Sequence, residues 1–574
     1  MPVRMDDLWQ LMLNALEGSA AYYVGLGVVV REFLERMQFV ETLNEMLAWD
    51  PRQCAVSPGQ RILALVLAFI EDRRALYRMP EVYADRDVEL LLGAGVKAGQ
   101  LNDKALGRAL DKLWDADPRR VYSTICLRAV EAYEVVITRL DSDTTSISVE
   151  GAYADQDSQG PRIARGVFQG PSSGSFTVQG RATVKQEGIP LAGDVFAGNE
   201  TDQKWDLSAM TWLESWISPD QRAQTLFVAD SSWVTNENLE HLAQADYRFV
   251  SRLPESYALA QTARAEALDG PADRWVDIGR PAAGKKTSRY QLREVAGEIE
   301  GRNDRLIVIQ SSNLFEPKRK TLMRHKEKER EAIEHLSRKL ARESFSCRED
   351  AEAALATQVA ALGLRFWTVK NSVETELVKP KRGRGRPVKD AEPPPPTTIF
   401  RAHVAPNQED REAFERECRW QSTFVLISNA PSAYSTEMLF HAYRGESQVE
   451  MAFRWLKGPV RISPVFLKSN TRIAAFGSIA LMAYLVYALV QRAIRMALPE
   501  GDTLEIEGRK TERPTAQAVF DVVRQAKILH VQLPGHAFRR VLLTPSAKIT
   551  RILQLLRIPV DALITVPTAW PNTA

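Results

Sequence analysis

Cysteine and histidine are scarce in this sequence, which narrows the kinds of site it can hold. Among 574 residues there are seven histidines and four cysteines, Cys54, Cys126, Cys347 and Cys418. The cysteines form no CxxC pair, and none has histidine at zinc-finger spacing. These absences argue against a disulfide framework and a structural zinc site, and they favour a reducing, cytoplasmic compartment.

An excess of charge of one sign is also missing. The 75 Lys and Arg residues against 73 Asp and Glu give a formal net charge of +2. Any nucleic-acid partner must therefore be held by local basic patches rather than by an overall field. Hydrophobic residues make up 45% of the chain and charged residues 26%, which excludes wholesale disorder and a fibrous protein. The polar start MPVRMDDLWQ lacks the layout of a signal peptide, so we expect no secretion signal there.

Long apolar runs are rare, and one stretch raises the question of a membrane span. Ile473 to Val490 carries no charge and has about the length of a transmembrane helix. It also contains glycine, serine and two tyrosines, and Arg472 and Arg492 lie close to its ends. We therefore predict a buried core helix and no membrane partner.

Hydrophobic periodicity predicts a mixed α/β sheet in the middle of the chain. We expect helices over 1–128 and then strands and helices in the order strand, hairpin, helix, strand, helix, strand. The predicted ranges are Val135–Leu140, Phe176–Val184 with Ile189–Phe196, Trp205–Trp216, Thr225–Ala229, Thr235–Ala243 and Tyr247–Leu253.

Five segments follow from this pattern. A helical N-terminal domain covers 1–128 and suits DNA-end binding or dimerisation. The α/β core covers 129–253 and 421–498, with an insertion over 254–420 between its two parts. A helical region covers 499–574. The insertion includes a charged helical stretch over 322–362 and a basic arm over 379–389. The arm has six basic and no acidic residues, and its prolines and glycines are typical of a linker.

Two acidic residues in the core segment are placed for chemistry. Asp143 and Asp230 each follow a predicted strand. Neighbouring carboxylates repel each other at neutral pH unless a cation lies between them, and hard oxygen ligands favour Mg²⁺ or Mn²⁺. The simpler interpretation of an aspartate in the DTTS sequence is a turn or a cap.

A third group lies in HAYRGESQVEMAFRWLK. Tyr443, Glu450 and Lys457 are seven residues apart, so on one helix they share a face, with Arg454 one turn after Glu450. The alternative is a solvated helix face with an ordinary Glu450–Arg454 pair.

Taken together, these stretches resemble the DDE transposases of the IS4 superfamily, most closely the IS1634-like group. The resemblance rests on DSDTTS at Asp143, GIPLAGDVFAGNETD from Gly188, LFVADSSWVTNENL at Asp230, and YRGESQVEMAFRWLKGPVRISPVFLKS from Tyr443. It covers most of the chain, and it implies an RNase H-like mixed-sheet core with an α+β insertion domain between the second aspartate and the glutamate.

The resemblance also implies an activity. Asp143, Asp230 and Glu450 would hold two Mg²⁺ or Mn²⁺ ions, cut the ends of an insertion sequence and join the 3′-OH ends to target DNA. Tyr443 and Lys457 would contact phosphates. The family has arginine four residues before the glutamate, where this chain has Glu446, so the charge would come from Arg444 or Arg454.

The implied partners are double-stranded DNA, as transposon ends and target, and a second copy of the chain when DNA is bound, in a prokaryotic cytoplasm at the nucleoid. The arm supports DNA independently: Arg382, Arg384 and Arg386 in an Arg-Gly-Arg-Pro context resemble an AT-hook, which enters the minor groove, although nonspecific phosphate binding fits equally. Two other functions stay open: an RNase H-like nuclease without strand transfer, and a catalytically silent DNA-binding derivative.

Overall fold

The computed structural model describes most of the chain. It covers residues 19–71, 74–149, 160–161, 164–165, 176–185, 188–197, 214, 217–279, 288–299, 301–379, 395–445, 467, 469–506, 508–532 and 538–567, with backbone alone at 142–149, 164–165, 176–185 and 196–197. The chain forms two compact units. The first combines Met1–Ser251 with His441–Ala574, and the second is Arg252–Phe440.

The first unit contains a mixed sheet, as predicted. Its strands are β2 (Arg139–Val149), β3 (Ala164–Arg165), β4 (Phe176–Lys185), β5 (Pro190–Ala197), β6 (Leu226–Ala229) and β7 (Arg248–Arg252). β4 pairs antiparallel with β2 on one side and with β3 and β5 on the other. On its other side β2 runs parallel to β6, and β6 runs parallel to β7.

Most of the predicted strands are confirmed, but the first one is displaced. The predicted strand over Val135–Leu140 begins at Arg139 and continues to Val149. The stretch after Asp143, rich in Thr and Ser, forms strand because β4 supplies a hydrogen-bonded neighbour along its whole length. The apolar run before it was therefore a poor guide to the strand. The predicted helix over 205–216 lies outside the described residues except for position 214.

Helices from both ends of the chain pack in this unit. In its N-terminal part they are α1 (Gly25–Arg36), α2 (Phe39–Met46), α3 (Pro58–Glu71), α4 (Met79–Ala84), α5 (Val88–Leu92), α6 (Asp103–Asp115) and α7 (Pro118–Ala132). Next come α8 (Pro219–Ala223) and α9 (Asn236–Gln244). Asn102 caps α6 by accepting a hydrogen bond from the Ala105 N–H.

The predicted core helix is long and almost completely buried. It is α15 (Asn470–Ala497), and it contacts α1, α3, α6, α7, β5, α16 (Ala516–Val523) and α17 (Ala547–Leu555). Among the described residues it is the helix whose length and mean hydropathy of 2.2 would suffice to cross a membrane, yet 94% of that apolar window is buried in the protein. The Arg472 guanidinium forms two hydrogen bonds to Asp111 of α6, which fixes the start of α15.

The two ends of the chain also share a small sheet, which the sequence analysis did not predict. β1 (Ala20–Tyr23) pairs antiparallel with β16 (Lys527–Val531), and β16 pairs with β17 (Arg539–Leu542). A two-stranded ladder of β14 (Leu504–Ile506) and β15 (Arg509–Thr511) precedes them. The last segment, predicted to be helical, contains the helices α16 and α17 and also strands. The strands escaped prediction because β16 pairs with β1, near the other end of the chain.

A buried carboxylate links these distant segments. Asp87 caps α5 through the Leu90 N–H and also accepts hydrogen bonds from His530 of β16 and Arg540 of β17. Burial raises the pKa of Asp87, but hydrogen bonds from Arg540, Leu90 and His530 outweigh it and hold the pKa below its ordinary value. The ionised carboxylate is therefore the form that stabilises this junction.

The second unit contains antiparallel strands in the order β13 (Thr423–Ser428), β10 (Arg302–Ser311), β9 (Tyr290–Ile299), β8 (Val276–Gly279). Its helices are α10 (Ala258–Asp269), α11 (Ser312–Leu340), α12 (Arg348–Ala361) and α13 (Arg411–Gln421), and α14 (Thr436–Arg444) leads back to the first unit. The predicted charged helical stretch corresponds to α11 and α12.

A long two-stranded ribbon packs on these helices and was not predicted. β11 (Trp367–Val378) pairs antiparallel with β12 (Thr397–Glu409) from Trp367↔Glu409 to Val378↔Thr397. Ile333, Leu336 and Leu340 of α11 bury their side chains against Ala402 and Val404 of β12. The basic arm connects the two strands, and all of it except Lys379 lies outside the described residues.

Asp87→Ala should destabilise the protein by about 2–4 kcal/mol, because it removes a helix cap and the buried carboxylate that accepts hydrogen bonds from Arg540 and His530. Because the pKa of Asp87 is depressed, the loss should be present at neutral pH and shrink as pH falls below about 4, through the folded-state pKa. Urea unfolding at pH 7 and at about pH 2 measures both. Asp85→Ala, at an exposed position nearby, should change stability by less than about 0.5 kcal/mol.

Asp304→Asn in β10 should stabilise the protein at high pH. Burial raises the pKa of Asp304 to about 6, and Arg302, 3.8 Å away, lowers it only partly. Within the described residues Asp304 Oδ2 has no hydrogen-bond partner. In the wild type the contribution of this raised pKa is present below about pH 4 and lost as pH rises through 6. The variant should therefore gain roughly 1–3 kcal/mol at pH 8 and nothing at pH 4, by urea unfolding. A gain that does not depend on pH, or an equal gain for the exposed control Asp273→Asn, would contradict this.

Candidate active site

Asp230 lies where the sheet of the first unit presents the end of a buried strand. All four residues of β6 are buried, and Asp230 follows immediately. Its Oδ1 accepts hydrogen bonds from the Ser232 N–H at 2.9 Å and the Ser232 hydroxyl at 2.6 Å, so Asp230 caps the next turn. Within the described part of the chain Oδ2 has no partner, and the side chain is exposed. One carboxylate oxygen is thus fixed while the other is available to a ligand.

Packing behind the strand holds this turn in place. Trp233 is buried, with its ring 5.2 Å from Phe227 and 6.0 Å from Phe249 between centroids. The Ser251 hydroxyl of β7 donates to the carbonyls of Ala229 and Asp230. The backbone at Asp230 is therefore held by the sheet on one side and an aromatic cluster on the other, as a site that must keep its geometry requires.

The backbone register brings Asp143 beside Asp230. In the parallel pair β2–β6, Asp141 is opposite Val228 and Ser142 is opposite Ala229. The next position on each strand is Asp143 and Asp230, and adjacent strands lie roughly 5 Å apart. The sequence predicted Asp143 at the end of a strand. It lies instead inside β2, opposite Ala182 of β4. Since β6 ends at Ala229, Asp143 is the first residue of β2 beyond its parallel neighbour.

Two residues before Asp143, a buried ion pair occupies the same strand. Arg139 and Asp141 alternate with Asp143 and so share one face of the sheet. The Arg139 Nε donates to Asp141 Oδ1 at 2.9 Å, and Nη2 donates to the same oxygen. Burial raises the pKa of Asp141 to about 6 although Arg139 lowers it. Sequence analysis missed this pair; the available signal was the alternation of charged residues from Arg139 to Asp143.

The guanidinium of Arg139 also lies against Gly445, at the end of α14. A Cβ at position 445 would collide with the Arg139 guanidinium, which Asp141 holds in place. Gly445 itself forms a turn, with its N–H hydrogen-bonded to the carbonyls of His441 and Ala442. The segment that carries Glu450 therefore begins in contact with Arg139, a side chain of the strand that carries Asp143.

The other predicted site residues fall into two groups. Tyr443, half-buried, and Arg444, exposed, are the last residues of α14. The sequence predicted that this helix continues through Lys457. The structure describes it as far as Arg444. Glu450, Arg454 and Lys457, and Arg382, Arg384 and Arg386 of the arm, lie outside the described residues.

The available ligands fit a hard divalent cation. Asp230 offers a free carboxylate oxygen, and the register puts a second aspartate next to it. Among the residues whose side chains are described, no group of three His, Cys, Asp or Glu side chains is close enough to hold a metal ion. The Asp143 side chain and Glu450 are not among those residues. The metal site predicted from the sequence therefore stays a prediction.

A separate cavity of about 680 Å³ opens elsewhere in the first unit. Arginines and carboxylates line it in equal number: Arg74, Arg78, Arg86 and Arg524 with Glu71, Glu81, Asp85 and Asp521. Arg86 is paired with Glu71 and Arg78 with Glu81. Because its charges balance, the cavity favours neither an anion nor a cation, and the acidic residues of the strands remain the better candidate.

Comparison with known proteins gives one partial family match. Residues 23–127 match a family described as a domain of unknown function, DUF4277. The match covers most of the N-terminal helices and less than half of the chain, so it does not define the protein as a whole. No curated protein matches the sequence.

Two of the solved structures that align with the chain are transposase complexes. One is a piggyBac transposase synaptic complex with hairpin DNA, at 9% identity and a TM-score of 0.35, covering 96% of this chain and 87% of that one. The other is a pre-cleavage Mos1 transpososome, at 12% identity and a TM-score of 0.14, covering 32% of this chain and 57% of that one. Scores this low establish neither a shared fold nor a shared activity.

Gly445→Ala should destabilise the protein by about 1–3 kcal/mol, because the new methyl group must displace Arg139 from Asp141 or move the chain at the end of α14. Urea unfolding measures this. Gly99→Ala is the matched control, since a Cβ at position 99 meets no atom within 4 Å, and it should be neutral or slightly stabilising. Equal stability of the two variants would contradict the packing argument.

Proposed function

We propose that this chain is a DNA transposase of the DDE type, with Asp143, Asp230 and Glu450 as its catalytic residues and an RNase H-like core. The proposal rests on one observation: the parallel register of β2 and β6 puts Asp143 and Asp230 in adjacent positions where β6 ends. Three antiparallel strands followed by two parallel ones are also what an RNase H-like core requires. As part of the proposal, the likeness of the motifs supports membership of the IS4 superfamily, IS1634-like group.

The chemistry follows from two carboxylates held side by side. Their mutual repulsion is relieved by divalent cations, and oxygen ligands select Mg²⁺ or Mn²⁺. Two such ions, when bound, activate the attacking oxygen and stabilise the leaving oxygen of a phosphodiester. Asp230 contributes an oxygen whose carboxylate is already oriented by Ser232, so little reorganisation is needed on binding.

Glu450 is proposed to complete the site from the segment that follows α14. Glu450 is five positions after Gly445, which limits their distance to roughly 17 Å even in an extended chain. Gly445 is packed on Arg139, four residues from Asp143 in β2. Because of this contact, the segment that leads to Glu450 starts near the strand that carries Asp143. Tyr443, Arg444, Arg454 and Lys457 are proposed to contact DNA phosphates close to the scissile bond.

The arm is proposed to hold DNA away from the catalytic residues. The last pair of the ribbon, Val378↔Thr397, brackets the part of the chain that contains the arm. Arg382, Arg384 and Arg386 therefore lie, in sequence, between the two strands, and we propose that this connection forms a loop. Such a loop suits an A·T-rich minor groove. We further propose that the chain acts as a homodimer on DNA, at the nucleoid of a prokaryotic cytoplasm, and uses both element ends and target as double-stranded partners.

Two alternatives keep the same residues and differ in outcome. A nuclease without strand transfer would cut DNA and leave the 3′-OH ends unjoined, and a silent derivative would bind without cutting. A strand-transfer assay with pre-cut ends and Mg²⁺ separates them. Joined product supports the transposase, cleavage alone supports the nuclease, and binding alone supports the silent derivative.

Asp230→Asn should lower Mg²⁺-dependent cleavage and joining by at least about a hundredfold while leaving DNA binding unchanged. The amide keeps the oxygen that caps Ser232, so the turn should survive while the charge is lost. Product formation on a labelled duplex and binding in EDTA are the two measurements. Glu237→Gln removes an exposed carboxylate from the next helix and should leave both unchanged. Full activity of Asp230→Asn would refute the site.

A further inference from the structure

The long helix α11 has an uneven distribution of charge. From Pro317 to Lys326 it contains five Lys or Arg residues and no acidic one. The helix buries Leu322, Ile333, Leu336 and Leu340 on one side. Half of this basic run precedes the charged helical stretch that the sequence predicted over 322–362.

The cations near the buried side are paired with carboxylates. Lys326 forms a 2.7 Å salt bridge with Glu409 of β12, and Arg319 lies 3.7 Å from Glu415 of α13. Glu329, also near the buried side, accepts hydrogen bonds from the backbone N–H groups of Arg365 and Phe366. These contacts attach the helix to its own unit, and they use up its inward-facing charge.

The cations on the opposite side have no such partners. Lys320, Arg324 and Lys328 follow each other at four-residue spacing, so each is turned by about 40° from the last and they form one stripe facing away from Leu322. All three are exposed, as is Lys318 beside them. In the described part of the chain none of these side chains has an ion pair or a hydrogen bond to a carboxylate. Glu327, next to Lys328 in sequence, is paired with Arg330.

We propose that this stripe of α11, Lys320, Arg324 and Lys328, is a binding surface for the phosphate backbone of duplex DNA. The inference rests on the proposed function, and it adds a contact outside the catalytic residues and the arm. The helical rise puts about 12 Å between Lys320 and Lys328, which matches the axial rise of three to four base pairs. Three cations along that length can therefore neutralise up to three phosphates of one strand.

Charge complementarity selects the partner. The whole chain is nearly neutral, so an unpaired basic stripe is a local feature that repels other cations and gains by releasing counterions from DNA. Lys and Arg with no base-reading neighbours bind phosphates without sequence preference. This surface is therefore expected to add affinity and salt dependence rather than specificity.

The experiment measures how the affinity of the full chain for a 30-bp duplex falls with salt, in EDTA so that no cleavage occurs. Each phosphate contact contributes about 0.9 to the slope of log K against log[salt]. The triple variant Lys320→Gln, Arg324→Gln, Lys328→Gln should lower the magnitude of the slope by about 2–3, and Arg324→Gln alone by about 0.9.

A matched triple variant controls for loss of charge. Arg338→Gln, Lys339→Gln, Arg342→Gln removes three cations from the end of α11 and the turn after it, where Arg338 donates to the Glu334 carbonyl and Lys339 to Gln358. It should change the slope by less than about half a contact. Equal slopes for the two triple variants, or an unchanged slope for the first, would overturn the inference.

Cleavage by the wild type with Mg²⁺ is recorded separately. Cleavage together with an unchanged slope for the first triple variant would refute this surface and leave the proposed function standing. A reduced slope for the first triple variant, together with a wild type that cuts nothing, would support the surface and refute the transposase.

Discussion

The apolar helix α15 is the constraint around which the first unit is organised. Nearly all of its long apolar window is buried, so every face needs a partner from elsewhere in the chain. It packs on helices from the N-terminal part, on β5 of the sheet and on both C-terminal helices. Gly477 lets β5 approach closely, because a Cβ there would collide with Val195. Burial of each large apolar side chain is worth roughly 1.5–3 kcal/mol, so this helix explains why segments far apart in sequence form one unit.

The candidate site inherits its geometry from that core. β5 packs on α15, β4 pairs with β5, β2 pairs with β4, and β6 runs parallel to β2. The strand pairings fix which residue of β2 is next to Asp230, since a slip by one position would put Asp143 on the other face of the sheet. The chemistry proposed for the two aspartates therefore depends on packing well away from them, and the Arg139–Asp141 pair adds a contact to the end of α14.

Local patterns predicted the parts of this fold that local physics decides. The buried strand before Asp230, the hairpin of β4 and β5 and the buried α15 were all predicted, because periodicity and turn residues carry their signal. The sheet of β1, β16 and β17 and the ribbon of β11 and β12 were missed, because their pairing depends on partners distant in sequence or on long, mostly exposed strands. At the site, Asp143 and Asp230 came from motifs, whereas Arg139, Asp141 and Gly445 emerged only from their contacts. The domain boundaries and the metal remain predictions.

The pairing of β1 with β16 has a consequence for how the protein is made. Ala20 is opposite His530, so the ribosome must add about five hundred residues after the first strand before its partner exists. At 5–20 residues per second this takes roughly half a minute to two minutes. During that time α1 and α3 lack α15, and their apolar faces are exposed to water and to chaperones. The second unit is continuous in sequence, so it is fully synthesised before α15 emerges. The first unit can be completed only after that.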